Sequence, residues 1–379
     1  GGYRLPWVYL HAIKDYADMV AHLEAFPAAR VVVNFAPVLL EQLDDYGSQM
    51  RAWLNDERPM QDPLLNLVAG VTKIPADVEA RAEIIRACQR AHAPTMIDYH
   101  TPFRSLVAFA RQQYVDGELD SLRISYLSSQ FFIDLLVWYH LAWIATSIKR
   151  DDSRILRLME KEHNFTQADQ RLLLEVMTDV VEGILPRYRA LMEAGQIELA
   201  MTPYGHPIVP LLIDFKSMHD AQPMAPVPIY PEYPGGEDRV RWHMKHGLDI
   251  FTAHFGTRPV GVWLSEGAIS SAAVKLLDEF DIAWTASGEG VWRDSCEASK
   301  VPAEQMENKK ALYHMMQHND CRCSLFFRDD GLSDLIGFQY KSWKAEDAAE
   351  DFCRHLETIS SFMVNDAGEK VITVILDGE

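Results

Sequence analysis

Short runs of apolar and β-branched residues recur along the chain and alternate with longer stretches of helical pattern. The apolar positions within these runs are continuous, which is typical of strands buried on both faces, as in parallel sheets. Seven runs are predicted to be strands: one that ends at Tyr9–Leu10, then Arg30–Phe35, Gly195–Met201, Pro259–Leu264, Ile282–Ala286, Ser324–Arg328 and Val371–Leu376. Strands that alternate with helices favour βα units, so the pattern predicts an α/β fold built on a parallel barrel.

Three stretches carry clear helix signals. Ser270 stands directly before an amphipathic run, where its side chain is predicted to cap the first turn, and Ala345–Met363 shows the same amphipathic pattern. The longest apolar stretch, Phe131–Ile148, is nearly long enough to cross a bilayer but contains Asp134 and His140. We therefore predict that it forms a buried core helix.

The third predicted strand comes late in the chain, because the region from about Arg51 to Ala194 is mostly helical in pattern. We interpret this region as a helical insertion that leaves the barrel after the second strand. The predicted organisation is a first part of the barrel in residues 1–50, the mainly helical insertion in residues 51–194, and the remainder of the barrel in residues 195–379.

Composition narrows the classes of function. The 379 residues are 48% hydrophobic and 24% charged, which excludes a disordered chain and a small disulfide scaffold. With 36 basic and 55 acidic residues the net charge is −19, so nucleic acid and membrane surfaces are not expected as partners, whereas neutral sugars are unaffected. Five sparse cysteines, and no signal-peptide pattern in the first residues, predict a cytoplasmic protein.

Polar and aromatic residues follow nearly every predicted strand. In a βα barrel, the residues that follow the strands gather at one mouth, which is the face that carries catalytic groups. These residues are His11, Asn34, 202–206, Ser265–Glu266, 287–289, 328–330 and 377–379.

Two carboxylates among these residues suggest a specific chemistry. Glu266 directly follows one strand and Asp377 directly follows the last, so both are predicted to lie at the same mouth. Glycoside hydrolysis uses two carboxyl groups that flank the scissile bond, one as nucleophile and one as proton donor with a raised pKa. Taken alone, each residue fits an ordinary acidic loop position better, and the sequences around the two carboxylates are what favour catalysis.

The sequences around these carboxylates resemble glycoside hydrolase family 57. The segments that carry the resemblance are Leu10-His11-Ala12-Ile13, Gly195-Gln196-Ile197-Glu198 with Tyr204–Leu211, Trp263-Leu264-Ser265-Glu266 and Asp377-Gly378-Glu379. Phe327–Phe338 is similar to a segment of the amylopullulanase and α-amylase-like branch of that family.

The resemblance implies a (β/α)7 barrel and a retaining enzyme that acts on α-1,4-linked glucans, and it leaves open whether α-1,6-linked glucans are substrates too. It places the nucleophile on Glu266 and the general acid/base on Asp377, and it implies no cofactor and no metal. The expected substrate-binding residues are His11, Glu198, Tyr204, His206, Trp263, Arg328 and Asp330. Among these, Trp263 offers an aromatic face for a sugar ring, and Arg328 either orients a carboxylate or forms a structural ion pair.

The chain ends at Glu379, directly after the seventh predicted strand. Members of the family continue into a C-terminal helical domain, so the resemblance predicts that this domain is missing here and that the chain is truncated. The pattern carries no indication of the oligomeric state.

Several alternatives remain open. His314, His318, Cys321 and Cys323 have the residue types of a zinc site, but the Cys-x-Cys spacing is tight for one ion. An α-glucan transferase, of the 4-α-glucanotransferase or branching type, would use the same two carboxylates. A metal-dependent carbohydrate deacetylase would instead need His11, Asp15 and His206 to converge on a metal, and a glucan-binding protein would need no catalysis at all.

Overall fold

The computed structural model describes residues 3–230, 232–302, 306, 309–318, 321–364 and 368–376. The chain divides into two compact units, each with its own packing. One unit contains residues 3–29 and 41–196, and the other contains residues 30–40 together with the described residues between 197 and 376. Residues 3–29 thus pack in the same compact unit as the helical region 51–194. The predicted division into barrel and helical insertion stays a prediction.

The strands form one six-stranded sheet in the second unit and a small antiparallel hairpin in the first unit. They are β1 (Val31–Phe35), β2 (Tyr114–Val115), β3 (Glu118–Leu119), β4 (Ile197–Met201), β5 (Gly261–Val262), β6 (Trp284–Ser287), β7 (Met316–Gln317) and β8 (Ser324–Phe327). The sheet order is β1-β4-β5-β6-β8-β7, parallel from β1 to β8, with β7 antiparallel to β8. This mostly parallel sheet confirms the α/β class and agrees with the predicted incomplete (β/α)7 barrel.

The α-helices occupy most of the rest of the described chain. They are α1 (Trp7–His11), α2 (Ala17–Ala25), α3 (Pro37–Asp56), α4 (Pro63–Val68), α5 (Val78–Cys88), α6 (Thr101–Arg111), α7 (Ser121–Ser125), α8 (Ser129–Trp143), α9 (Thr146–Asp151), α10 (Ser153–Lys161), α11 (Gln167–Glu193), α12 (Val209–Ile213), α13 (Met218–Ala221), α14 (Gly236–Phe255), α15 (Ser271–Glu279), α16 (Glu289–Ala298), α17 (Asp330–Asp334) and α18 (Ala345–Phe362). Short π-helical segments cover Ala12–Tyr16, Ala93–Ile97 and Leu335–Gln339.

Five of the predicted strands are confirmed as β1, β4, β5, β6 and β8. The first prediction is wrong, because the residues around Tyr9–Leu10 form α1 and the π-helical segment that follows it. Tyr9 is fully buried, and its hydroxyl lies 2.9 Å from Nε2 of His140. The prediction of a last strand at Val371–Leu376 is wrong, because among the described residues this segment pairs only through an isolated parallel bridge between Thr373 and Arg328 and one further backbone hydrogen bond from Val371 N–H to Tyr313 O at 2.9 Å.

The predicted core helix is confirmed over Phe131–Trp143, which lies in α8, but it is shorter than predicted because Ile144 and Ala145 leave the helical conformation and α9 begins at Thr146. Its residues from Leu135 to Trp143 are all buried, and the Ser128 side chain caps its first turn. Asp134 is tolerated inside because its carboxylate accepts the backbone N–H groups of Asn164 at 3.0 Å and Phe165 at 2.9 Å. Within the described part of the chain, each helix is too short or too polar to cross a membrane.

The two faces of the six-stranded sheet differ in burial. Residues paired across parallel strands point to the same side, so the register assigns each side chain to a face. One face is closed by buried apolar side chains: Val33, Phe35, Leu199, Met201, Val262, Leu325 and Phe327. The other face, which we call the open face, includes Asn34, Glu198, Trp263, Trp284, Phe326 and Arg328, all half-buried or exposed. Burial on both faces, which the continuous apolar runs predicted, is confirmed for one face only, because on the open face the small residues Ala200 and Ala286 are buried but the larger aromatic and polar side chains are half-buried or exposed.

Candidate active site

The carboxyl ends of the parallel strands are joined into one continuous rim in the second unit. Backbone hydrogen bonds continue the ladder past the strands, from Trp263 N–H to Met201 O at 2.9 Å and from Arg328 N–H to Ser287 O at 2.9 Å. Side chains add to it, because the hydroxyls of Thr202 and Ser265 lie 3.3 Å apart. The rim can therefore hold side chains from several strands in fixed positions.

Glu266 lies on this rim in an unusual backbone conformation. It is exposed at the centre of a single 3₁₀ turn, Ser265–Gly267, which Trp263 and Leu264 connect to the end of β5. Its φ of 58° and ψ of 18° are in the left-handed region, which costs a non-glycine residue about 1–2 kcal/mol. Such strain persists only where the surroundings impose it, and it is concentrated at functional sites. Here the buried Ser287 hydroxyl donates to Gly267 O at 2.5 Å and holds the turn.

Trp263 is brought close to Glu266 by the same turn. A Cβ atom added to Gly267 would lie only 2.9 Å from Cη2 of Trp263, so the indole ring covers this glycine. The strand spacing alone places Trp263 and Glu266 on opposite faces, and the turn overrides that alternation. The half-buried ring thus lies beside the residue next to the predicted nucleophile.

Glu198 lies on the open face, farther from the rim than the residues described above. Its carboxylate accepts the indole N–H of Trp284 at 2.7 Å, across the intervening strand β5. The two side chains can meet because Gly261 separates them without a side chain. Glu198 is three residues before Met201, which corresponds to about 10 Å along the strand from the rim. The structure therefore brings Glu198 together with Trp284.

Arg328 and Asp330 form an ion pair at the end of β8. The Nε atom of Arg328 donates to Asp330 Oδ1 at 2.6 Å, and its Nη2 atom donates to Asp334 Oδ1 at 3.4 Å. Its Nη1 atom donates to the backbone oxygen of Ile375 at 3.3 Å. The structural ion pair that the sequence left open as an alternative is present.

Tyr204 and His206 lie in the loop after β4. Tyr204 is anchored to α14, since its N–H donates to His243 O at 3.2 Å and its ring contacts that of His246 at 4.6 Å between centroids. Burial is the main cause that lowers the pKa of His243. His206 is exposed, with a positive φ of 55°. His243 and His246, whose rings on α14 support Tyr204, were not predicted from the sequence. Their spacing of three residues, about one helical turn, is the signal that could have indicated them.

His11 belongs to the first unit and is the last residue of helix α1, whereas it was predicted to follow a strand. Its Nδ1 atom lies 2.7 Å from Oδ2 of Asp15, one turn along the π-helical segment, and its ring meets Trp143 edge-on at 5.3 Å. Burial alone would raise the pKa of Asp15, but hydrogen bonds from His11 and Lys14 outweigh it and lower the pKa. A carboxylate held in this way fixes the orientation of the imidazole.

Two further predictions concern the end of the chain and a metal site. Asp377 lies outside the described residues, which stop at Leu376.

In the segment of the candidate zinc site, His318 Nε2 lies 2.9 Å from the Ser271 hydroxyl and its Nδ1 lies 3.8 Å from Cys321 Sγ. Among the described residues, no three histidine, cysteine or acidic side chains are grouped in a way that could hold a metal.

Comparison with solved structures finds similar chains. A GH57-type branching enzyme from the hyperthermophilic archaeon Pyrococcus horikoshii is 14% identical, with a TM-score of 0.48, and the match covers 100% of this chain and 60% of that one. The α-amylase AmyC from Thermotoga maritima is 12% identical, with a TM-score of 0.46, over 98% of this chain and 62% of that one. The chain therefore spans about three fifths of the length of these proteins.

Comparison with curated proteins finds no significant match. The model of one protein family, described as Glycosyl hydrolase family 57, matches residues 1–379, which is the whole sequence. The match includes the segments of His11, Glu198, Glu266 and Asp377 that suggested the resemblance. The chain belongs to glycosyl hydrolase family 57.

Proposed function

We propose that this protein is a retaining enzyme that acts on α-glucans, with Glu266 as nucleophile and Asp377 as general acid/base. The observation that carries the proposal is the placement of Glu266, an exposed carboxylate held in a strained turn at the carboxyl rim of a parallel sheet. Its substrates are α-1,4-linked glucans, with α-1,6 linkages as a second class to be tested.

The proposed reaction has two steps. The Glu266 carboxylate attacks the anomeric carbon, and the bond to the leaving oxygen breaks as Asp377 gives that oxygen a proton. Asp377 then takes a proton from an incoming hydroxyl, whose oxygen displaces Glu266 from the anomeric carbon. The product keeps the α configuration, and the two carboxyl groups of a retaining enzyme lie about 5–5.5 Å apart.

The incoming hydroxyl decides between two activities of the same site. Water gives hydrolysis, whereas a sugar hydroxyl gives the transferase activity that we keep as the alternative. The half-buried indole of Trp263 is suited to stack against a sugar ring beside the nucleophile. We propose that Tyr204, His206 and Asp330 bind sugar on the second unit and that His11 does so on the first.

The test is turnover of amylose, pullulan and glycogen by the full-length protein, with product analysis and NMR of the released anomer. Glu266→Ala and Asp377→Ala should each reduce turnover by about 10²–10⁴-fold or more without unfolding the protein. Glu297→Ala, at an exposed position on α16, is the matched control and should leave turnover unchanged. Wild-type rates in Glu266→Ala, or release of the β-anomer, would refute the assignment.

A further inference from the structure

We propose that Arg328 and Ser333 are positioning residues, which clamp the backbone that leads into Asp377. This inference rests on the proposed function and changes the expected role of Arg328, which the family resemblance treats as a sugar-binding residue. Its evidence is a set of hydrogen bonds in the second unit between the end of β8, α17 and the segment 373–376.

The segment 373–376 has no continuous ladder to hold it. One parallel bridge joins Thr373 to Arg328, with the Asp329 N–H donating to Thr373 O at 2.8 Å. Two residues further on, side chains replace the ladder at Ile375. Its N–H donates to the Ser333 hydroxyl at 3.3 Å, and its carbonyl accepts from Nη1 of Arg328 at 3.3 Å. Both backbone polar groups of Ile375 are thus fixed by side chains.

The guanidinium of Arg328 is itself held rigidly. Asp330 accepts from Nε and Asp334 accepts from Nη2, so all three nitrogen atoms of the fork have protein partners. A planar guanidinium bound on three sides can transmit its geometry to the carbonyl it contacts, which a flexible lysine cannot do. Because its partners are protein groups, the side chain is built to hold the backbone of Ile375.

Ser333 makes the second half of the clamp. It is 1% exposed, and its hydroxyl donates to Asp329 O at 2.8 Å while accepting from Ile375 N–H. The N-cap of α17 is Asp329, whose carboxylate accepts from Leu332 N–H at 2.9 Å. The Ser333 hydroxyl is therefore free to join the segment to α17.

The consequence for catalysis follows from the short distance along the chain. Asp377 follows Ile375 by two residues, so a displacement of Ile375 moves the backbone that carries the proposed proton donor. A misplacement of about 1 Å in a catalytic group costs on the order of 10²-fold in rate. Loss of the clamp should therefore weaken protonation of the leaving group and spare the attack by Glu266.

Two substrates separate these steps. Maltoheptaose has a sugar leaving group that needs a proton, whereas α-maltosyl fluoride releases fluoride with little need for acid catalysis. For both, kcat/KM reports the first irreversible step, which is formation of the glycosyl-enzyme. Arg328→Lys, Arg328→Gln and Ser333→Ala, made in the full-length protein, should lower kcat/KM for maltoheptaose by about 10–100-fold but change that for the fluoride by less than about threefold.

The controls use the same residue types elsewhere in the second unit. Arg322→Lys, at an exposed ion pair with Asp281, and Ser361→Ala, on the exposed side of α18, should leave both substrates unaffected. Ser333→Thr keeps a hydroxyl and should recover most of the loss seen in Ser333→Ala. Circular dichroism and thermal unfolding identify any variant that fails to fold, in which case the more conservative Arg328→Lys, which keeps the positive charge but not the planar fork, gives the answer.

The outcomes distinguish this inference from the proposed function. Asp377→Ala should show the same dependence on the leaving group, and Glu266→Ala should lose both substrates. If Asp377→Ala shows the dependence but the Arg328 and Ser333 variants lower both substrates equally, raise KM for both or change neither, the clamp is refuted and the proposed function stands. If Asp377→Ala shows no dependence on the leaving group, the proposed function and the clamp fail together.

Discussion

Replacing Gly261 by alanine should destabilise the second unit strongly, because the indole of Trp284 occupies the place of the new methyl group. An added Cβ atom would lie 1.9 Å from Cε2 and 2.1 Å from Cζ2 of that ring, whereas real Cβ contacts stay above 3.0 Å. The ring must therefore retreat by about 1 Å, and Glu198 holds it by a hydrogen bond of 2.7 Å.

The magnitude follows from these contacts. Overpacking by a methyl group costs about 1–3 kcal/mol. Losing the hydrogen bond to the Glu198 carboxylate adds about 1.5–3 kcal/mol. In the opposite direction, alanine loses less backbone entropy than glycine on folding, which stabilises the variant by about 0.5–1 kcal/mol. We therefore expect the free energy of unfolding to fall by about 2–5 kcal/mol in Gly261→Ala.

The assay is urea unfolding of four proteins: wild type, Gly261→Ala, Trp284→Ala and the double variant. In the Trp284→Ala background the methyl group has room, so the coupling energy between the two positions should be about 2 kcal/mol or more. Gly290→Ala on α16 is the matched control, since a Cβ atom there meets no other atom within 4 Å. Coupling below about 0.5 kcal/mol, which is the usual limit of additivity, would refute the steric argument.

Two other predictions concern side chains outside the rim. Because the pKa of Asp15 is lowered in the folded protein, its carboxylate stabilises the fold above its unfolded pKa of about 3.9 and loses that contribution as the pH falls through the folded value. Asp15→Asn should thus lower the free energy of unfolding more at pH 7 than at pH 2, and an equal loss at both pH values would contradict this. The exposed thiol of Cys353 should react at once with an aromatic disulfide at pH 8, whereas Cys323, whose pKa burial raises to about 11, should react only after unfolding. Equal rates for the two thiols in the folded protein would contradict the burial of Cys323.

Local sequence patterns were sufficient to predict secondary structure where a segment is long or strongly biased in composition. The β-branched run Val31–Phe35 and the apolar stretch that became α8 carry their structure in their own residues. Ser270 caps α15 as predicted, because a cap depends on residues only three apart. The motif that ends in Glu266 also identified the strand end that carries the candidate nucleophile.

Contacts between distant residues were decided only in the folded chain. The apolar run around Tyr9 is too short to carry a period, and in the folded chain it forms a helix whose Tyr9 contacts His140. Glu198 meets Trp284 because the indole ring lies over Gly261, which has no side chain, and Arg328 reaches Ile375 because Thr373 forms a bridge with Arg328. Spacing along a chain determines geometry over a few residues, whereas the distances across a sheet depend on register and packing, which no single segment encodes.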